Sequence, residues 1–303
     1  MQSVSQKKLW IISGATGIGK TAFSIRLAQH FDTEVISADS RQFFKELNIG
    51  VARPSQTELD CVKHHFIAHK SITEHYSAGM FAQDASLVLE RLFELHDNVV
   101  CVGGSGLYIQ ALIEGLDDLP SDISIKNEIE LLLQEKGIVF LQDKLKNLDP
   151  DYYQSVDLNN PHRLIRALEI MQISGEKYSV LRSKTKRELP YQTEILILSG
   201  NREFVYSRIN DRVEAMIENG LLDEVKGLIK FKDYNSLNTV GYKELYSYLN
   251  NECDLDTAIS KIKQHSRNYA KRQETWWRRF PNAIWINVDE IDPMNFLREN
   301  KFI

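Results

Sequence analysis

The feature that most constrains this chain is Gly14-Ala15-Thr16-Gly17-Ile18-Gly19-Lys20-Thr21, which matches G-x-x-x-x-G-K-[ST] in full. It follows the apolar run Leu9–Ser13 and opens a helical pattern over Ala22–His30, the strand–loop–helix setting the motif needs. The glycines let backbone N–H groups turn onto phosphate oxygens, and the helix N-terminus adds partial positive charge. Lys20 supplies a point charge, and the Thr21 hydroxyl can reach phosphate or Mg²⁺. The whole loop, Gly14 to Thr21, is therefore a diphosphate-binding candidate. The motif implies phosphate but leaves the reaction open.

Three further apolar runs read as strands. Glu34–Ala38 ends at Asp39, Val99–Val102 ends at Gly103-Gly104 before a helical stretch Leu107–Ile113, and Glu194–Leu198 ends at Ser199-Gly200. Strands alternating with helices define an α/β fold, a P-loop NTPase-like doubly wound parallel sheet. Ligands of such sheets bind beyond the carboxyl ends of the strands, so the glycine loop, Asp39 and Gly103-Gly104 are expected to converge on one crevice. Residues 121–190 read as a mostly helical insert, with apolar helical spacing over Ile125–Gln134 and Arg163–Ile173. The core is expected to comprise 1–120 and 191–303, its C-terminal part helical over Arg208–Ile217, Leu221–Lys230 and Asp256–Phe280.

With 43% hydrophobic and 26% charged residues, the composition is that of an ordinary globular protein able to bury a core without staples. Cys61, Cys101 and Cys253 are too scattered for a disulfide framework or a zinc pattern, which fits a reduced, cytoplasmic protein. Leu9–Ile12 is too short to span a membrane, and no membrane association is expected. The adjacent His64-His65 diverge and have no third ligand at zinc spacing, so they read as structural or substrate-adjacent.

The formal net charge of −5 argues mildly against nucleic acid. Its distribution argues the other way. Residues 261–279 hold seven basic side chains against one acid, Glu274. At 100° per residue, Lys263, Arg267, Lys271 and Arg278 share one stripe, able to follow RNA phosphates or to lie as a plain solvated face. Trp276 and Trp277 can stack on bases or pack inside, and core packing is expected for at least one.

Asp39 has two readings: an N-cap for the next helix, or a general base aimed into the crevice. Its neighbours Ser40, Arg41 and Gln42, all hydrogen-bonding residues, favour the second.

The stretch ISADSRQFFKELNIGVARP (Ile36–Pro54) closely resembles the segment after the P-loop in tRNA dimethylallyltransferases. Further motifs of that family appear in order: His64–Ile67 with Tyr76–Ala85, VGGSGLYIQAL (Val102–Leu112), Asn160–Ile170, Val240–Leu249 and NYAKRQETWWR (Asn268–Arg278). The resemblance thus runs from about residue 10 to residue 280. It implies Mg²⁺-assisted transfer of a dimethylallyl group from dimethylallyl diphosphate to the exocyclic amine of the adenosine 3′ of the anticodon (position 37), in tRNAs reading codons that begin with U. Asp39 would be the general base. Lys20, Thr21 and an arginine matching Arg212, with Arg208 as second choice, would meet the leaving diphosphate, and Thr21 would hold the metal. Asp39, Ser40, Arg41, Gln42 and Ser105 would contact the anticodon-loop bases. His162, Arg163, Leu164, Ile165 and Arg166, together with Arg267 and Lys271, would belong to the tRNA-binding surface; the basic groups among them can equally be solvated helix charges. A monomer is expected. Because the chain ends soon after the basic helix, without the zinc-finger extension of eukaryotic relatives, a bacterial-type enzyme is expected.

This chain departs from the family pattern at Ile18, normally small and polar, at Val51 and Arg53, normally Thr and Lys, and at Ser105, often Thr. Three other readings stay in play. A small-molecule kinase would share the P-loop and the aspartate, an enzyme prenylating free AMP would not need the insert, and an RNA-binding module would need neither P-loop nor Asp39.

Overall fold

The structure, a computed structural model, describes residues 7–115, 119–182 and 188–303. Its frame is a six-stranded, all-parallel sheet in the order β3-β2-β4-β1-β5-β6. The strands are β1 (Lys8–Gly14), β2 (Val35–Ser37), β3 (His64–His65), β4 (Asn98–Val102), β5 (Gln192–Ser199) and β6 (Ile284–Asn287). The edge strands β3 and β6 have no counterpart among the four runs read from the sequence.

Both faces of the sheet are buried, which is why its central strands are continuous apolar runs. Leu9 and Ile11 of β1 join Ile36, Val99, Cys101 and Ile197 on one face, under Phe81 and Leu89 of the Ala78–Leu95 helix and Trp277. Trp10 and Ile12 join Val35, Val100, Leu196 and Ile286 on the other, against Phe23 and Leu27 of the Lys20–His30 helix. Each such buried side chain contributes about 1.5–3 kcal/mol relative to exposure. A third cluster packs Leu221, Val225, Leu237 and Tyr242 with Leu47 and Ile262, uniting the C-terminal helices with the segment after β2.

The chain order puts β4 and β5 on either side of β1, so the crossovers part above the carboxyl end of β1. That is where a doubly wound sheet opens a crevice. Gly14 closes β1 with φ 138°, and a Cβ there would run into the Leu198 carbonyl of β5. Only glycine lets the loop leave the sheet this tightly.

The chain divides into two compact units, Met1–Glu114 with Glu188–Ile303, and Gly115–Arg187. The expected boundaries at 120/121 and 190/191 shift a few residues toward the N-terminus. The smaller unit holds the helices Ile123–Leu148, broken at Gly137, and Pro161–Ser174, around a core of Ile129, Leu141, Leu145, Leu164, Ile165 and Leu168. Residues 183–187 of the expected insert lie outside the described residues. No helix among the described residues is long and apolar enough to cross a membrane.

Candidate active site

The P-loop connects β1 to the Lys20–His30 helix and borders a cavity of about 570 Å³. Thr16, Gly17, Gly19, Lys20 and Thr21 line it; Gly14, Ala15 and Ile18 do not. Ile18 is buried in the core beside Val205 and Ile209, so its departure from a polar residue serves packing, and its side chain is not a phosphate ligand. Gly14 and Ala15 stand behind the loop, where their carbonyls accept from Lys20 Nζ at 3.1 and 2.8 Å. Burial, reinforced by Arg212 and only partly offset by Asp39, lowers the Lys20 pKa to about 7.

Two arginines come from one face of the Arg202–Glu218 helix, a turn apart. Arg212 reaches Thr16 Oγ1 at 3.5 Å, and Arg208 Nε donates to the Gly17 carbonyl at 2.8 Å. Both border the cavity, and so do the carboxylates of Glu58 and Asp211. Thr21, Glu58 and Asp211 line the same cavity and carry hard oxygens of the kind Mg²⁺ takes beside phosphate and water. Among the described residues no cluster of three or more His, Cys, Asp or Glu could hold a metal.

Asp39 follows β2. Its Oδ1 accepts the N–H groups of Arg41 (3.0 Å) and Gln42 (3.4 Å), capping a turn, not a helix. Oδ2 makes no hydrogen bond among the described residues. Asp39 is therefore not a helix N-cap, the next helix starting only at Gln56 under Ser55; one of its oxygens holds the turn, and the residue borders the crevice. Ser105 Oγ accepts the Ser40 N–H and donates to Ser40 Oγ, both at 3.0 Å. Ser105 supports the Asp39 loop from behind and lines neither cavity. The side chains of the next two residues are engaged with the protein. Arg41 donates to the carbonyls of Asn235, Ser236 and Asn238, and Gln42 Nε2 donates to those of Val51 (3.2 Å) and Ala52 (2.9 Å).

A second cavity, about 740 Å³, opens on the other side of Asp39. Thr16, Asp39, Val51, Ala52, Arg212 and Tyr269 border both. Its long wall is the Leu255–Trp277 helix, through Lys261, His265, Asn268, Tyr269 and Arg272. This is not the expected basic stripe. Lys263 pairs with Glu214, Arg267 donates to Asn210 Oδ1 at 2.7 Å, and Lys271 reaches the Tyr206 hydroxyl. Those three partners sit at four-residue spacing along the 202–218 helix, so this part of the stripe lies along a helix–helix seam, with Lys271 still exposed, while Arg278 is exposed and pairs with Glu274 of its own helix. The cavity face was readable from a competing period, Lys261, His265, Asn268 and Arg272, but its mix of neutral and basic residues gave a weaker charge signal. Burial, and then the charge of Asp39, pushes the Tyr269 hydroxyl up to about 12, so it stays neutral.

Gln273, buried and not singled out by sequence, ties the loops together. Its Oε1 accepts the Thr16 N–H and its Nε2 donates to the Gly104 carbonyl, both at 2.9 Å. Trp277 is fully buried in the core, and Trp276 packs against Gly106, so neither is a free stacking platform. His64 and His65 build the edge strand β3, His65 Nε2 bonding Glu34 Oε2 at 2.5 Å.

In the smaller unit, His162 and Arg163 are exposed at the start of the Pro161–Ser174 helix. Leu164 and Ile165 face the interior, so their side chains are not an RNA surface. Arg166 is engaged by the Leu119 and Pro120 carbonyls and by the buried Glu169.

These features define an α/β protein of the P-loop type, with a phosphate cavity opening past a carboxylate into a larger polar cavity. The IPP transferase family model matches residues 42–280, and the chain belongs to that family. It is 51% identical to the tRNA dimethylallyltransferase of Christiangramia forsetii over 92% of this chain and 93% of that one. It is 43% identical to tRNA dimethylallyltransferase 1 of Bacteroides thetaiotaomicron over 96% and 95%. Among solved structures, the tRNA isopentenylpyrophosphate transferase of Bacillus halodurans superposes with a TM-score of 0.71 at 36% identity, covering 97% and 94%. A eukaryotic dimethylallyltransferase acting on tRNA superposes with a TM-score of 0.77 at 28% identity, covering 93% and 74%.

Proposed function

We propose that this protein transfers the dimethylallyl group of dimethylallyl diphosphate to the exocyclic amine of the adenosine 3′ of the anticodon, in tRNAs reading codons that begin with U, and releases diphosphate. The observation that carries the reading is the position of Asp39, with Thr16 and Arg212, on the border between the P-loop cavity and the larger polar cavity. The names of the relatives support it.

The diphosphate lies against the P-loop amides and Lys20. The adenine, drawn out of an unpaired loop at modest cost, comes from the side of Tyr269 and Arg272. Its amine is a poor nucleophile because the lone pair is delocalised into the ring. Asp39 Oδ2 takes the amine proton as nitrogen bonds to the allylic carbon and the carbon–oxygen bond to diphosphate breaks. The charge that builds on the leaving diphosphate is met by Lys20, Arg208 and Arg212, preset by their bonds to the loop. A Mg²⁺ ion held by Thr21 would supply further neutralisation of that charge when bound. In the smaller unit, His162 and Arg163 are exposed and available to RNA phosphates.

The test is transfer of labelled dimethylallyl diphosphate, with Mg²⁺, to unmodified tRNA, with free AMP and an ATP-only mixture alongside. Label in tRNA alone is expected. Label in AMP would move the protein to the class that prenylates free nucleotides, and ATP turnover without transfer would make it a kinase.

A further inference from the structure

Of the six residues bordering both cavities, Val51 and Ala52 are the aliphatic ones. They are the apolar part of the border that faces a prenyl tail leaving the phosphate cavity toward Asp39. Beyond them the apolar surface continues through Ile209, Val213 and Met216 of the 202–218 helix.

The loop carrying Val51 and Ala52 is held more firmly than a surface turn requires. Glu224, on the Leu221–Gly227 helix, places its carboxylate over three consecutive backbone amides. Oε2 accepts the N–H groups of Asn48 (3.2 Å) and Ile49 (2.8 Å), and Oε1 accepts that of Gly50 (3.0 Å). Oε1 also accepts the Tyr242 hydroxyl at 2.5 Å. Gly50 lies so close to the Tyr242 ring that any side chain there would enter it. From the other side, Gln42 grips the Val51 and Ala52 carbonyls. Between these holds Ala52 is kept at φ 46°, a left-handed conformation that a non-glycine residue keeps only when its surroundings impose it. None of these bonds involves the P-loop.

We propose that the 48–54 loop gauges prenyl tail length in the reaction proposed above, with Val51 as the wall the tail meets and Glu224 as the positioning residue that sets that wall. Charge-assisted bonds from one carboxylate to three amides suit this, because they fix a backbone without adding a polar group to the tail's path. The substrate class selected is the short allylic diphosphate, against its longer homologues.

The experiment compares the full chain with Val51→Ala and Glu224→Gln, using tRNA as acceptor and dimethylallyl or geranyl diphosphate as donor. Inhibition by inorganic diphosphate reads the phosphate cavity separately. The wild type is expected to favour dimethylallyl. Each variant should raise the geranyl-to-dimethylallyl ratio of kcat/KM by about tenfold or more, with the inhibition constant for inorganic diphosphate unchanged within about twofold. Val51→Ala keeps the test open should Glu224→Gln fail to fold. An unchanged ratio in active Val51→Ala overturns the gauge alone, as does a diphosphate inhibition constant that rises in step with the KM for dimethylallyl diphosphate. A wild type that transfers no dimethylallyl group to tRNA overturns the function and the gauge together.

Discussion

Gln273 accepts the Thr16 amide hydrogen through Oε1 while its Nε2 serves the Gly104 carbonyl, so one buried side chain fixes the spacing of the P-loop and the loop after β4. The same helix lines the larger cavity with Tyr269 and Arg272, one turn before and immediately beside Gln273. Gln273→Leu strips the Thr16 amide of its partner and leaves the Gly104 carbonyl only the Tyr269 hydroxyl at 3.5 Å, and should cost about 1–3 kcal/mol of stability. Gln273→Glu keeps an acceptor for Thr16, loses the donor to Gly104, and adds negative charge beside the phosphate cavity. It should weaken dimethylallyl diphosphate binding, read as a higher KM, more than it lowers the melting temperature. If KM stays level in both variants while only thermal stability falls, Gln273 is packing and does not position the P-loop.

Asp39→Asn preserves an Oδ1 that can accept from Arg41 and Gln42, so the turn should survive. The proton acceptor is lost. Transfer to tRNA should fall by about a hundred- to ten-thousand-fold, with diphosphate affinity nearly unchanged. Single-turnover transfer separates the two effects. Wild-type rates in Asp39→Asn would reduce Asp39 to a turn cap.

The sheet and the crevice were legible because buried parallel strands are written as unbroken apolar runs and because the P-loop has a fixed spacing. β3 and β6 were not, since two- and four-residue edge strands carry too little pattern to stand out. The helical stripe was ambiguous for a physical reason. Lys263, Arg267 and Lys271 are one-sided because Glu214, Asn210 and Tyr206 face them across a seam, and a single helix cannot reveal whether its partner is RNA or protein. Arg41 and Gln42 look like recognition groups in sequence, yet their acceptors are main-chain carbonyls, which no side-chain motif displays. Glu224 was silent for the same reason, because its partners are the amides of residues 48–50.

Arg163 and Arg166 stand one turn apart in the smaller unit and should behave differently. Arg163 is exposed, and Arg163→Ala should weaken tRNA binding and lower the log–log salt slope by about one, with melting unchanged. Arg166 secures the Leu119 and Pro120 carbonyls and Glu169, so Arg166→Ala should lower stability by about 1–3 kcal/mol. Filter binding over a salt series and thermal unfolding together decide. Equal salt slopes in Arg163→Ala and the wild type would remove Arg163 from the RNA surface.

Lys20 gives the site a pH dependence whose sign follows from its environment. Burial, with Arg212 adding to it, brings its pKa to about 7, so above that pH the amine is largely neutral before ligand binds. A bound diphosphate favours the ammonium and raises the pKa, so binding takes up a proton. The Lys20 contribution to affinity should therefore be level below about pH 6 and fall about tenfold per unit above pH 7, until the pKa of the complex is reached. Calorimetric titration with inorganic diphosphate from pH 6 to 9 (about the range that brackets the shift) measures it. The ligand's own titration is removed by subtracting the curve of Lys20→Met, which retains the stem and lacks the proton. Parallel curves for the two proteins would mean that Lys20 is already charged when diphosphate arrives, and that its bonds to the Gly14 and Ala15 carbonyls stabilise the ammonium more than burial opposes it.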